Sequence, residues 1–468
     1  MVCDPGATAR EAATIMRRES VDSAVVVRGG RVFGILTDME LRDGLVAEAA
    51  PVETPVGQLM SERVVRLRAD APVFEALMAM MRERAYHVVI TDGLGPEAPL
   101  LGVVSDKDIS RAQGYSPAFV LERAEEADSV AELARIRGET TGLILSLERR
   151  GVRPRDLIAI NTEVNDRLMV RALGLAEAEL AETSPGLRVD LPWAWLSLGS
   201  EGRGEMGLLT DQDNALVYAD PSNPEEAEKA ERWFRELAER ANLALYECGF
   251  ALCEGGVMAR NPKWRGPSSG WKETFRRWIL EPEAQALADA ATFFDLHGLY
   301  GESTLVEELK TAMERALSEE SRFLPFLARN VVADRPSPSF FRSVVERFGR
   351  RSDYLDIKQS GTKPLTDIAR LLAMQLRYLD SSNTFDRFRY AAKALPEMSK
   401  TIEQASDAYG HLVELRFDRH LRDIERGEKP NNRIDPNALS KTRRDMLRVA
   451  LSTVGEVKDG IAHRYGAL

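Results

Sequence analysis

Hydrophobic positions in the first ~115 residues fall into two blocks that read alike. A helical pattern begins at Glu11-Ala12-Ala13-Thr14-Ile15-Met16. An apolar run, Ala24 to Val27, a Gly29-Gly30 turn and a second run, Val32 to Leu36, lead into Thr37-Asp38-Met39-Glu40. The same order returns as Glu75 to Met80, then His87 to Ile90, then Leu101 to Val104 and Ser105-Asp106-Lys107-Asp108. The offset grows from 64 residues (Glu11 to Glu75) to 68 (Gly34 to Gly102), because the second copy has a longer loop, Asp92 to Pro99. Each copy predicts helix, strand, turn, strand, helix. Neither copy can bury its apolar strands alone, so the two are expected to pack as a pair. The second copy is led in by Val56 to Met60 and a strand at Val64 to Leu67. By the repeat alignment Met1 falls inside the equivalent strand, so the first copy is expected to be trimmed at its leading edge.

Beyond the repeats the period changes. Residues 116–183 read as helical, with apolar positions at Leu143, Ile144, Leu147 and again at Leu157, Ile158, Ile160, Val164 and Leu168. Thr183-Ser184-Pro185-Gly186 marks a break. Strands are predicted at Trp193–Leu198 and Asn214–Tyr218, with a third at Phe250–Cys253. A long helix is predicted from Pro224 to Glu247, its proline suiting the first turn. From about residue 281 the pattern is almost entirely helical. Four regions result: repeats over 1–115, a helical connector over 116–183, a small mixed sheet with helices over 184–280 and a helical bundle over 281–468. The fold class is therefore α/β followed by α.

Composition narrows the partners. The 468 residues carry a net charge of −11, from 63 basic and 74 acidic side chains. That balance argues against nucleic-acid binding by a basic face. The best candidate for a local basic patch is the run Arg260 to Arg277, with Lys263, Arg265, Lys272 and Arg276. No apolar run approaches the ~20 residues of a membrane helix. Three cysteines, Cys3, Cys248 and Cys253, are too few and too irregular for a disulfide framework or a zinc site. A reducing, cytoplasmic setting is expected, with Cys248 and Cys253 as packing thiols. Five scattered histidines show no metal spacing. Trp264, Trp271 and Trp278 recur every seven residues, as core packing would require.

Two motif sets carry chemistry. In each repeat the second strand runs into Gly-x-x-Thr/Ser-x-x-acid: Gly34, Thr37, Glu40 and Gly102, Ser105, Asp108. A hydroxyl beside a helix start can bond a phosphate or ribose oxygen, and the acid three residues on can accept from a ribose hydroxyl pair. The same spacing also describes a helix capping box. The second set is Leu196-Ser197-Leu198-Gly199-Ser200-Glu201-Gly202-Arg203-Gly204-Glu205, followed by Thr210-Asp211-Gln212-Asp213-Asn214. A Gly-Ser at a strand end lets backbone N–H groups approach a triphosphate. Asp-x-Asp at the next strand's start puts both carboxylates on one face, where they can hold Mg²⁺. Arg203 is placed to meet phosphate oxygens.

The repeats resemble the CBS domain family, and the tandem resembles a Bateman module that binds adenosine nucleotides through Thr37, Glu40, Ser105 and Asp108. The Gly-Ser/Asp-x-Asp set resembles the nucleotidyltransferase β superfamily, and its Gly202-Arg203-Gly204-Glu205 insert resembles the PII uridylyltransferase branch. Gly199 to Tyr218, with Gly255-Gly256-Val257-Met258-Ala259-Arg260-Asn261-Pro262-Lys263-Trp264, resembles the nucleotidyltransferase-type proteins called DUF294. Members of that family often carry CBS pairs upstream, and their helical C-terminal domain resembles Tyr354 to Lys358 through Asp367 to Arg370 here. The resemblance implies transfer of a nucleoside monophosphate from NTP to a protein acceptor, PII-like by first expectation. Asp211 and Asp213 would hold Mg²⁺, and Gly199, Ser200 and Arg203 the phosphates. Glu254 is the nearest candidate for the superfamily's third carboxylate. CBS pairs commonly dimerise, so a homodimer is expected. Two rival expectations stand: a catalytically silent adenylate sensor acting as an interaction module, and an RNA-terminal nucleotidyltransferase, against which the charge and the insert count.

Overall fold

The computed structural model describes residues 1–93, 95, 98–113, 117–149, 151–281, 284–319, 322–333 and 354–466. It divides into two compact units, Met1–Arg123 and Ala124–Leu468.

In the first unit the two repeats build matching sheets. Strand β1 (Val2–Cys3) is followed by helix α1 (Ala9–Glu19), then β2 (Ser23–Arg28) and β3 (Arg31–Thr37). The second copy has β4 (Arg66–Arg68), α2 (Val73–Glu83), β5 (His87–Thr91) and β6 (Leu100–Ser105). In each sheet the first strand runs parallel to the second and the second antiparallel to the third. Registers correspond: Ser23 faces Thr37 as His87 faces Ser105, and Val25 faces Ile35 as Val89 faces Val103. The leading strand of the first copy is present, and Val2 pairs with Val25 as Arg66 pairs with Val89. Both helices end on a left-handed residue at the equivalent position, Ser20 and Arg84.

Side-chain alternation explains why the copies come as a pair. Ala24 and Val26 pack on Ala12 and Met16 of α1, and Val88 packs on Leu77 and Met80 of α2. The residues between them point the other way. Val25, Val32 and Ile35 of the first copy thereby share one cluster with Val89 of the second, so each sheet is the other's cover.

The second unit begins with helices α3 (Val130–Arg149) and α4 (Pro154–Thr183), which pack on each other. A four-stranded sheet follows, in the order β10-β7-β8-β9: β7 (Trp193–Ser197), β8 (Asn214–Tyr218), β9 (Arg265–Pro267) and β10 (His297–Gly301). Between β8 and β9 lies α5 (Pro224–Glu247), capped by Asn223 and packed on α4. Its proline occupies the first turn, where a missing N–H costs nothing. After β9 comes α6 (Ser268–Leu280). Trp264, Trp271 and Trp278 are buried around Phe293, with Trp271 and Phe293 ring centres 4.6 Å apart, so their seven-residue spacing builds core. The C-terminal helices α7 (Lys363–Gln375), α8 (Thr384–Ala394), α9 (Ser399–Glu425) and α10 (Lys441–Arg464) pack in sequence or against each other, and α9 also touches α4.

Two strand expectations change. Phe250–Cys253 is a loop joined to the 211–214 segment by a single bridge, Ala251 beside Asp211, in which the Gln212 N–H donates to the Ala251 carbonyl, while the Phe250 N–H and the Cys253 carbonyl bond within their own turns. β10 lies in a stretch expected to be helical. Its sequence, His-Gly-Leu-Tyr-Gly, has no alternation of its own and becomes a strand only by pairing with β7. Helices α3 and α4 belong to the same compact unit as the sheet instead of standing apart as a connector.

Candidate functional site

Two consecutive structural decisions place Asp211 and Asp213 side by side. Extended backbone through residues 211–214 sends alternate side chains in opposite directions. Gln212 and Asn214 go inward: Gln212 Nε2 donates to the Asn242 and Phe250 carbonyls, and Asn214 Oδ1 accepts from the Asn242 amide and the Ala259 N–H. Asp211 and Asp213 go outward, into a cavity of about 670 Å³. The inner pair is buried completely, so the segment cannot slip by one residue without burying both carboxylates.

Gly199 and Ser200 open a one-turn helix after β7 and line the same cavity. Gly199 has φ +56°, and a Cβ there would sit 2.4 Å from Asp213 Oδ2. Only glycine lets this carboxylate lie against the turn. Gly202 is as constrained, since a Cβ there would meet the Asp295 carbonyl at 2.1 Å and the Ser197 carbonyl at 2.5 Å.

Ligand atoms of Asp211, Asp213 and Cys253 lie within 4.8 Å of one another. Burial pushes Asp213 up to about 6, and the neighbouring Asp211 charge adds to the shift. Burial likewise pushes the Cys253 thiol up to about 11, with the Asp213 charge adding to it. The thiol is therefore protonated at neutral pH and donates to Asp213. Two crowded carboxylates are the donor set a hard divalent cation neutralises, and the protonated thiol is a poor third ligand for one. Glu254, expected as the third carboxylate, is exposed and lies outside both the cavity lining and this cluster. It follows Cys253 immediately, and the turn that brings the thiol in carries the next side chain out. A further acid, Glu201, feels both aspartates; it is buried, bonded to Ser197 Oγ and held well above the usual carboxylate range, chiefly by burial.

Arg203 lines the cavity, yet its guanidinium is engaged within the protein. Nε donates to Glu205 at 2.9 Å and Nη1 to Asp295 at 2.6 Å. The expectation of a phosphate-binding arginine thus meets a competing demand: Asp295 is fully buried and must be neutralised. Three guanidiniums converge on it, Arg203, Arg370 and Arg387, and they hold its carboxyl well below the usual range against the opposing effect of burial. Glu205 and Asp367 balance the remaining charge through Arg203 and Arg370. Glu205 also accepts from the Thr384 N–H and hydroxyl and from Tyr409 Oη. The Gly-Arg-Gly-Glu insert therefore locks the sheet region to helices α7, α8 and α9. Asn161 and Thr162 of α4 bind the other side of this loop through the Met206, Gly207 and Gly204 carbonyls.

Helices α7 and α9 and the segment before α7 supply the cavity's far wall, including Lys358, Lys363, Arg416 and His420. Sequence reading named Lys358 within the stretch that resembles the family's helical domain. It missed Arg416 and His420, which carry no motif. Five cations of the basic run Arg260–Arg277 are paired: Arg260 with Glu239, Lys263 with Asp289, Arg265 with Glu231, Lys272 with Glu308 and Arg276 with Glu273.

In the first unit, Thr37 with Glu40 and Ser105 with Asp108 occupy equivalent strand-to-helix junctions. Each hydroxyl is bonded to its own carboxylate, and each carboxylate accepts the backbone N–H at 2.9 Å. In this arrangement each pair caps its helix.

Comparisons with known proteins agree with this division. The family described as "Putative nucleotidyltransferase DUF294" matches residues 138–285, and "Putative nucleotidyltransferase substrate binding domain" matches residues 321–465. The CBS domain matches residues 1–47 and 56–115. A CBS domain-containing protein of Bacillus subtilis, YhcV, is 27% identical over 106 residues, covering 23% of this chain and 73% of that one. A CBS domain protein of Pyrobaculum aerophilum, solved in complex with AMP, is 23% identical, covers 26% of this chain and 88% of its own, and has a TM-score of 0.22. A CBS-domain protein of Agrobacterium tumefaciens is 24% identical, covers 24% and 86%, and has the same TM-score. Among the described residues no helix is long and apolar enough to cross a membrane.

Proposed function

The chain belongs to the DUF294 family and carries a tandem CBS pair ahead of it, and on that premise we propose that it transfers a nucleoside monophosphate from NTP to a protein acceptor. The observation that carries the reading is the Asp211/Asp213 pair lining a charged cavity, with Asp213 pressed against Gly199. Asp211 and Asp213 would hold Mg²⁺, which when bound withdraws charge from the α-phosphate and the leaving group. The Gly199-Ser200 turn presents backbone N–H groups to phosphate oxygens. The acceptor hydroxyl oxygen bonds to the α-phosphorus. The bond to the bridging oxygen breaks, pyrophosphate leaves with that electron pair, and the hydroxyl proton passes to solvent. Cys253 donates to Asp213 and fixes its rotamer. Arg203 orients the loop instead of touching the phosphates. By resemblance the acceptor is PII-like and the transferred group a uridylyl; the protein works in the cytoplasm as a homodimer. Adenosine nucleotides are the proposed CBS ligands, displacing the internal Thr37–Glu40 and Ser105–Asp108 bonds.

One observation favours a second reading. The third position beside the aspartates holds a protonated thiol where a third carboxylate was expected. A catalytically silent nucleotide sensor would tolerate that. The experiment incubates the chain with each α-labelled NTP, Mg²⁺ and cell extract, and follows labelled protein and pyrophosphate. Asp211→Ala and Asp213→Ala are each expected to reduce transfer by orders of magnitude with the fold retained. Nucleotide binding without pyrophosphate release selects the silent sensor. Full activity in both variants rejects the assignment of the aspartates.

A further inference from the structure

Five cationic side chains among the described residues line the cavity: Arg203, Lys358, Lys363, Arg370 and Arg416. Three are spent. Arg203 serves Asp295 and Glu205, Arg370 serves Asp295 and Asp367, and Lys363 serves Asp367. The other two are not. Among the described residues the Lys358 ammonium has no hydrogen-bond or ion-pair partner, and Arg416 is tied only through Nε, which donates to Asn432 Oδ1 at 2.8 Å. Both act on the aspartates from across the cavity: the Lys358 charge is felt by Asp213, and the Asp211 charge is felt by Arg416. No ion pair within 4 Å joins either cation to either aspartate in the described residues. Opposite charges thus face one another over a gap that the fold leaves unbridged.

The Arg416 side of the gap is rigidly built. Asn432 Oδ1 also contacts His420 Nε2 at 3.1 Å, one helical turn along α9. A guanidinium only donates, so the shared atom is an acceptor, and His420 must donate to it through Nε2. Its Nδ1 is then a bare acceptor, buried and without a partner among the described residues. Burial, and next the Arg416 charge, push His420 down to about 4, so the imidazole is neutral and Arg416 is the cation of the two. Asn432 thereby aims the free edge of the Arg416 guanidinium. Lys358 is exposed on the segment leading into α7 and is free to follow a ligand.

From this geometry we propose that Lys358 and Arg416 form a phosphate clamp that holds the β- and γ-phosphates of the NTP and then the leaving pyrophosphate. The clamp rests on the nucleotidyl-transfer reading of Asp211 and Asp213. In it the helical domain does more than wall the cavity: it neutralises the leaving group while the aspartate side handles the α-phosphate. An ammonium supplies mobile charge, and a planar guanidinium supplies paired donors with directional demand.

The test is isothermal titration of the full chain with inorganic pyrophosphate and with an α,β-methylene NTP, each with Mg²⁺. Lys358→Ala is expected to weaken both ligands about tenfold or more, with Lys358→Arg restoring much of the loss. Arg416→Lys is expected to weaken them also, since the point charge lacks the fork. Lys363→Ala, which removes a cation already paired with Asp367, is expected to change affinity by less than about threefold. Lys358 is exposed, so its variants test the clamp even if Arg416 variants unfold. Unchanged affinity in Lys358→Ala and in folded Arg416→Lys, with the wild type binding normally, overturns the clamp alone. No binding by the wild type overturns both the clamp and the transfer reading beneath it.

Discussion

At Asp213 burial and a neighbouring like charge act in the same direction. Both disfavour the ionised carboxylate, and together they lift its folded pKa from 3.8 to about 6. For an acid, a raised folded pKa means that the ionised form costs stability. The cost is absent below about pH 4, grows between there and about pH 6, and is fully present above. Asp213→Asn is therefore expected to stabilise the second unit by about 1–2 kcal/mol at pH 8. The gain should shrink as pH falls toward 4. Mg²⁺ should raise the melting temperature of the wild type and leave that of the variant unchanged. Thermal unfolding at several pH values, with and without Mg²⁺, reads both effects. A variant less stable than wild type at pH 8 would show that Asp213 contributes structure and is not held at a cost. Such a cost fits a residue retained for chemistry. Much of this was legible in sequence, because Asp-x-Asp is local and side-chain alternation is short-range. Cys253 was not, because its place depends on a single bridge between Ala251 and Asp211. Glu254 was the natural expectation, and a turn of one residue decided against it.

Elements locate the site by pinning a loop between helices from opposite ends of the unit. The 199–207 segment follows β7, is bound by α4 on one side and by α8 and α9 on the other, and its charge is closed by Asp295, which also pairs with Arg370 of α7. That aspartate sits just before β10, the strand that sequence pattern did not show. β10 has two glycines in five residues and pairs antiparallel with β7. Its short, weakly apolar sequence becomes a strand through tertiary pairing, which no local period records. The strands of the repeats were legible for the opposite reason: their apolar runs pair in matching registers. Removing Asp295 leaves three buried guanidiniums facing each other. Asp295→Asn is expected to destabilise the second unit by about 3–5 kcal/mol, or to prevent its folding. Chemical denaturation followed by tryptophan fluorescence reports it, since Trp264 and Trp271 lie in the same core. The first unit, Met1–Arg123, should unfold unchanged, as it contains none of these charges. A loss below about 1 kcal/mol would mean that water replaces the carboxylate and that the network is not a lock.

For the whole molecule, regulation requires a ligand that binds two conformations of the chain unequally. The chain leaving the CBS pair enters α3 and α4, and α4 holds the 204–207 loop through Asn161 and Thr162. A small shift of α4 would therefore move Gly204 to Gly207, and with them Arg203 and Glu205. That loop is tied to buried charge, so it should switch between discrete arrangements rather than drift. Adenosine nucleotide at the CBS pair is expected to change the transfer rate, with a coupling of about 1–3 kcal/mol, or about 5–150-fold in affinity terms. Linkage adds a check that needs no turnover. If AMP alters NTP affinity by some factor, NTP must alter AMP affinity by the same factor. Calorimetry on the full chain measures both, and a chain beginning at Ala124 should show the NTP affinity without the AMP response. Asn161→Ala, which removes the bonds from α4 to the Met206 and Gly207 carbonyls and leaves those of Thr162, is expected to reduce the coupling more than either affinity. Equal NTP affinity with and without saturating AMP would remove regulation from the CBS pair, leaving dimerisation as its remaining proposed task.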